Sequence, residues 1–209
     1  MGIERDSKYY DMTFNQSAKW KVHFYNSPYY KVWDQLTGYI NYDLDIIELG
    51  CGSGQLARYI CSLFNNGNKY TAVDFSHNRI EWAKSNKYVI LDNDGFISMV
   101  RRYSLDYDCI DFIEDDVFHF IENRELPVCN YIMTEFLEHI EDDIILLHKI
   151  PVGSKVVFTV PNFNDSAHVR YFSSNVDIYK RYNISLDILK IVNINIGNSI
   201  IFLCDSIKY

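Results

Sequence analysis

Short apolar runs, each stopped by an acid or a glycine turn, alternate with mixed stretches of helical spacing along most of this chain. Leu44, Ile46, Ile47 and Leu49 form the first such run, dense enough in β-branched residues for a strand buried on both faces. It ends in Glu48 and in Gly50, Gly52 and Gly54, after which Gln55, Leu56, Ala57, Tyr59 and Ile60 continue as a helix. The pattern recurs with a strand over 69–74 that ends in Asp74 and a helix led by Phe75 and Ser76. Further strands follow over 109–113, ending in Glu114, Asp115 and Asp116, over 128–134, and over 155–160, stopped by Pro161. Between them Phe118 and Ile121 mark a short helix, and Phe136, Ile140, Ile144 and Leu147 mark a helix that opens at Glu135. Strands alternating with helices predict an α/β fold with a doubly wound, mostly parallel sheet.

Three stretches depart from that rhythm. Residues 186–195 and 199–204 are apolar runs joined around Gly197, which reads as a terminal antiparallel hairpin and brings the sheet to seven strands. Ser173 or Ser174 caps a short helix ahead of it. Residues 87–109 are longer than a plain βα unit needs and read as an insertion, with a polar turn at 92–95 and a helix over 96–103. Residues 1–40 are crowded with aromatics, and Trp33, Leu36 and Ile40 take helical spacing after Pro28. This N-terminal segment reads as a helical packing element and lid, with Tyr10 and His23 closing on a substrate, ahead of a main domain over 41–209.

Composition narrows the class. Of 209 residues 48% are hydrophobic and 23% charged, which excludes a disordered or fibrous chain. A net charge of −8 argues against nucleic acid as partner and favours a small-molecule acceptor. The five cysteines lack paired spacing and read as reduced thiols. No secretory leader or membrane-length apolar stretch stands in the sequence, so a cytoplasmic location is expected and no membrane partner.

The chemistry gathers where strands end. Glycines at 50, 52 and 54 let backbone approach a ligand, and an acid closing the second strand, Asp74, is placed to accept from ribose hydroxyls. Glu135, Glu138 and His139 fall at i, i+3 and i+4, one face of the expected helix. With His168 from the segment after the fifth strand they compose an oxygen and imidazole set suited to a divalent ion such as Mg²⁺ or Mn²⁺. Without an ion, Glu138 and His139 simply cap and orient their helix. His139 and His168 are candidate bases for an acceptor hydroxyl. Arg170 is a candidate partner for a substrate carboxylate or phosphate, or for one of the local acids.

Over roughly residues 40–209 the chain resembles class I S-adenosylmethionine-dependent methyltransferases. Glu-Leu-Gly-Cys-Gly-Ser-Gly at 48–54 is similar to that family's first motif, Val-Asp-Phe-Ser at 73–76 to its second, and Glu-Asp-Asp-Val at 114–117 to its adenine-side motif. The resemblance implies that Glu48 and the backbone of Gly50, Cys51, Gly52 and Gly54 hold the methionyl end of S-adenosylmethionine. It implies ribose contact by Asp74, an adenine flank at Phe75, adenine hydrogen bonds by Asp115 or Asp116 and the Val117 amide, and a Thr134 carbonyl facing the ammonium. The Glu-x-x-Glu-His stretch is similar to ones in ubiquinone-pathway O-methyltransferases and in small-RNA 3′-terminal 2′-O-methyltransferases. The expected activity is O-methylation of a small molecule or a sugar-linked hydroxyl. The alternatives are a metal-assisted RNA 2′-O-methyltransferase and a non-catalytic cofactor-binding subunit.

Overall fold

The computed structural model describes residues 2–63, 67–85, 87–91, 97–102 and 109–209, with backbone alone for 87–91 and 97–102. In chain order its strands are β1 (Ile46–Leu49), β2 (Tyr70–Asp74), β3 (Lys87–Leu91), β4 (Ile97–Arg102), β5 (Ile110–Glu114), β6 (Asn130–Met133), β7 (Lys155–Pro161), β8 (Leu186–Ile196) and β9 (Ser199–Lys208). The α-helices are α1 (Ser7–Gln16), α2 (Tyr30–Thr37), α3 (Gln55–Leu63), α4 (His77–Lys84), α5 (Val117–Glu122), α6 (Asp143–Lys149) and α7 (Asn175–Tyr182).

Seven strands form one sheet in the order β5-β2-β1-β6-β7-β9-β8. The pairs from β5 to β7 are parallel, and β9 runs antiparallel between β7 and β8. Six strands therefore share one direction, and the terminal hairpin folds back so that its second strand, β9, lies antiparallel against β7 while its first, β8, takes the edge and runs in the common direction. This is the seven-stranded Rossmann-like sheet of the methyltransferase fold.

Strand alternation divides the core into two layers. Ile47, Leu49, Tyr131, Met133, Val156 and Phe158 face α5, α6 and α7, whereas Ile46, Ile132, Val157, Ile201 and Leu203 face α2, α3 and Ile80 of α4. Burying both faces of a parallel sheet explains why its strands read as near-continuous apolar runs.

Two sequence expectations fail in this architecture. Within the insertion, residues 97–102 are extended rather than helical and pair antiparallel with β3 in a two-stranded sheet of their own. Ile97 and Val100 are β-branched and suit that state; the turn expected at 92–95 lies outside the described residues. The helix expected to open at Glu135 begins only at Asp143. Glu135 has φ of 49°, in the left-handed region, and Leu137–His139 make a single 3-10 turn. The apolar spacing of Phe136 to Leu147 spans this turn and α6, and spacing alone does not register a reversed φ between them.

The N-terminal segment crosses the carboxyl ends of the strands. Asp6 caps α1 by accepting from the Tyr9 amide at 3.0 Å, and Asp11 fastens α1 to α4 by accepting from Ser76 Oγ and the Asn78 amide. Val32, Trp33 and Leu36 bury α2 against the sheet.

Candidate active site

Above the carboxyl ends of β1, β2, β5 and β6 lies a cavity of about 600 Å³. This is within the roughly 300–1,000 Å³ of small-molecule sites, at the place in an open α/β sheet where ligands bind. Its floor is the glycine turn. Gly50, Gly52 and Gly54 have φ of +77°, +56° and +72°, so all three use conformations costly to other residues. Gly50 and Gly52 line the cavity and Gly54 does not. A Cβ on Gly54 would overlap the Phe112 ring, so this third glycine serves helix-to-strand packing instead of the ligand.

The acids at the strand ends are set by short bonds. Asp74, nearly fully buried, accepts from the Gly52 amide at 2.8 Å and the Ser76 amide at 2.9 Å, one on each oxygen. A second lone pair remains on each oxygen for a vicinal diol. Asp116 accepts from the Phe118 and His119 amides through Oδ1 and lines the cavity beside Val117 and Phe75. Asp115, the other candidate for the adenine contact, points away and pairs with His119 Nδ1 at 2.8 Å. Glu48 is buried and accepts from the Tyr70 hydroxyl at 2.8 Å. Burial pushes its carboxyl up to about 8, against the pull of Tyr70, with the Asp74 charge adding to the rise. Cys51 and Thr134 complete this end of the wall.

At the opposite end the segment after β7 docks on the turn around Leu137. His139 Nδ1 donates to the Ala167 carbonyl at 2.9 Å and the Val169 amide donates to the Glu138 carbonyl at 2.9 Å. These bonds bring the His139 and His168 rings to 4.8 Å. His168 Nδ1 in turn donates to the Phe163 carbonyl at 3.1 Å, so both rings present Nε2 as the free acceptor. Burial lowers His139 to about 4, with the Ala167 bond opposing. Glu138 lies 3.9 Å from His139 Nε2, wholly buried, with both carboxyl oxygens lacking a hydrogen-bond partner. Burial and then the neighbouring Glu135 raise its pKa well above the usual range.

Glu135 does not join that cluster. Its carboxyl accepts from Thr159 Oγ1 at 3.0 Å and from the Tyr29 hydroxyl, and burial pushes it up to about 7. The left-handed backbone at 135 turns it to this side, which corrects the one-face placement of Glu135 with Glu138 and His139. For Arg170 the structure shows the second of its two alternatives, pairing with a local acid. Its guanidinium donates to the carbonyls of Leu137, Ile140 and Glu141 and pairs with Asp143 at 3.1 Å, so its donors are spent inside the fold and it does not line the cavity. His23 caps the 3-10 turn Phe24–Asn26 by accepting from the Tyr25 amide and lies off the cavity. Tyr10 does line it, packed between Phe75 at 5.5 Å and His139 at 5.9 Å.

Sequence reading missed Tyr29, Trp20 and Arg79, all lining residues. The aromatic crowding of the first forty residues pointed to the first two. Arg79 lies one helical turn beyond the Asp74 motif, where its reach over Gly52 depends on tertiary packing.

The cavity and the fold together define a nucleoside-cofactor site of the methyl-transfer kind. The glycine turn offers backbone without side chains, Asp74 offers a diol acceptor, and Glu48 is an acid able to meet an ammonium; these fit S-adenosylmethionine. Residues 47–125, from β1 through α5, match the model of a family described as a methyltransferase domain. That match and the cavity together support an S-adenosylmethionine-dependent methyltransferase. No curated protein matches the sequence significantly. Among solved structures, magnesium protoporphyrin IX methyltransferase from Synechocystis PCC 6803 with bound S-adenosylmethionine has the same fold, with a TM-score of 0.64, 13% identity and coverage of 98% of this chain and 99% of that one. A methyltransferase from Aquifex aeolicus gives 0.61, 10%, 99% and 100%. An N-methyltransferase from Bradyrhizobium japonicum WM9 in complex with S-adenosylhomocysteine gives 0.55, 14%, 85% and 86%. No helix among the described residues is long and apolar enough to cross a membrane.

Proposed function

We propose that the protein methylates a hydroxyl of a small molecule or sugar-linked acceptor. The observation that carries this reading is the pair of histidines at the acceptor end of the cavity, each fixed by a carbonyl on Nδ1 and each keeping Nε2 free to take a proton. Bound S-adenosylmethionine supplies an electrophilic methyl group for in-line displacement. The chain's own residues place the two partners, and positioning contributes about 7–11 kcal/mol at best. Asp74 and Asp116 fix the nucleoside, Glu48 the ammonium, and Tyr10 and Phe136 border the space beside the reacting centre. His139, neutral at pH 7 because burial holds it near 4, accepts the hydroxyl proton. The Nε2 that takes the proton stands 3.9 Å from the buried Glu138 carboxyl.

Calorimetric titration with S-adenosylhomocysteine tests the cofactor step, and Asp74→Asn is expected to weaken it about tenfold or more by turning one acceptor oxygen into a donor. Incubation with methyl-labelled cofactor and a metabolite extract tests the acceptor. Label on a macromolecule, or on a nitrogen, refutes the hydroxyl reading.

A second reading has one specific observation behind it. Glu138, His139 and His168 each offer one donor atom, all within 4.8 Å of one another, and the Glu138 oxygens have no partner. Two imidazoles with a carboxylate suit Mn²⁺ better than Mg²⁺, and an ion there would acidify an acceptor hydroxyl. A rise in melting temperature with MnCl2 that disappears in Glu138→Gln would support it. Equal melting with and without the ion would refute it.

A further inference from the structure

We propose that the acceptor carries an oxyanion, a phosphate or a carboxylate, and that Arg5 and Arg79 receive it; this rests on the methyl-transfer reading above. The two arginines line the cavity from its cover side. The Arg79 guanidinium makes no hydrogen bond or ion pair with any described residue, and that of Arg5 makes one bond, to the Ser166 carbonyl at 3.2 Å. The Nε–H of each is buried and lacks an acceptor. Both guanidinium groups lie over rings instead: Arg5 is 4.9 Å from the centre of Tyr9, and Arg79 is 4.8 Å from Tyr10 and 5.7 Å from Trp20. Tyr9 and Tyr10 meet edge to face at 5.4 Å, so the two cations belong to one wall. Ring stacking satisfies the face of a guanidinium and leaves its in-plane donors open.

The acids of the cavity do not fill that need. Glu48, Asp74, Asp116 and Glu135 accept from Tyr70, backbone amides or Thr159, Asp165 accepts from the Ala167 amide, and Glu4, beside Arg5 in the chain, accepts from the Glu141 amide. Half-buried cations with open donors, beside acids that hold other donors, favour an incoming oxyanion, which a guanidinium fork binds in a bidentate manner. The cofactor brings a single carboxylate, and two guanidinium groups wait. Arg5 in particular is tied to Ser166, two residues from His168, which places it at the acceptor end. The cavity must hold cofactor and acceptor within about 600 Å³, so the anion is a small molecule.

The test uses the full chain saturated with S-adenosylhomocysteine and three calorimetric probes: phenyl phosphate, benzoate and benzyl alcohol. At least one anionic probe is expected to bind roughly tenfold tighter than the alcohol, and which of the two does so separates phosphate from carboxylate. Arg5→Gln with Arg79→Gln should abolish the preference, and the corresponding lysine pair should keep part of it while confirming that the site still folds. Equal binding of the three probes overturns the proposal, as does a preference that survives both glutamines. A short single-stranded RNA that binds tighter than phenyl phosphate overturns its small-molecule part. Loss of S-adenosylhomocysteine affinity in Arg79→Gln with the anion preference intact assigns Arg79 to the cofactor and overturns its acceptor role. Absence of S-adenosylhomocysteine binding to the unaltered protein sinks the methyl-transfer reading itself, whereas retained cofactor binding without anion preference sinks only this proposal.

Discussion

Glu48 couples cofactor binding to a proton. In the free protein its carboxyl is buried against the Tyr70 hydroxyl and pushed up to about 8, so it is largely protonated at neutral pH. A cationic ammonium arriving beside it favours the ionised form and returns the pKa toward the usual carboxylate range. Binding therefore releases about one proton below pH 8, and affinity rises with pH up to that point. From pH 5 to 8 the linkage is about 1.4 kcal/mol per pH unit, or roughly 4 kcal/mol and a thousandfold in Kd at its limit. The same group acts oppositely on the free fold. Its folded pKa lies above its unfolded value, so its contribution to stability is complete below about pH 4.5, declines as pH rises, and is lost through about pH 8. Calorimetry of S-adenosylhomocysteine in buffers of different ionisation enthalpy measures the released proton directly, and Glu48→Gln should abolish both the release and the pH slope. A Kd constant between pH 5.5 and 8 in the unaltered protein, or an unchanged slope in Glu48→Gln, would refute the reasoning.

Three further perturbations separate chemistry from framework. His139→Ala should lower the methylation rate about 10²–10⁴-fold with little change in cofactor affinity. Because His139 is already neutral above pH 5, its titration should leave the rate flat from pH 5.5 to 8, and an inflection near 6.5 that vanishes in the variant would contradict its burial. Gly50→Ala combines a left-handed φ, about 1–2 kcal/mol, with overlap on the Phe136 ring, about 1–3 kcal/mol, and should lower Tm by roughly 5–15 °C. Arg170→Ala strips donors from three carbonyls and from buried Asp143; it should cost about 3–5 kcal/mol in thermal unfolding while cofactor affinity holds, and a selective loss of acceptor binding without loss of stability would restore Arg170 to the site.

Much of the cofactor half was legible in the sequence because its geometry is local. Strand, glycine turn and helix follow one another within a dozen residues, so Gly50 and Gly52 carry their positions with them, and Asp74 follows from the neighbouring parallel strand it closes. Asp116 is fixed by its own helix cap, which equally told it apart from Asp115 only after the fold was known. The acceptor half is made of long-range contacts. A positive φ at Glu135 turns one carboxyl toward Thr159 and Tyr29, and no spacing rule registers it. Arg170 reads as a free cation until three carbonyls from residues about thirty positions earlier close on it. Gly54 looks like part of the ligand turn until Phe112, from β5 two strands across in the sheet, fills the space beside it.

The first residues of the described chain are stitched to the segment that carries His168. The Gly2 amide donates to the His168 carbonyl at 2.8 Å and the Ile3 amide to the Ser166 carbonyl at 3.3 Å. A side chain at Gly2 would overlap the Ser166 carbonyl, so the seam closes only with glycine at that place. Lifting the aromatic cover from the cavity at this end thus means unpicking the backbone beside His168. The cover and the loop that carries His168 are therefore one piece of backbone, and neither shifts without breaking the bonds that seat the other.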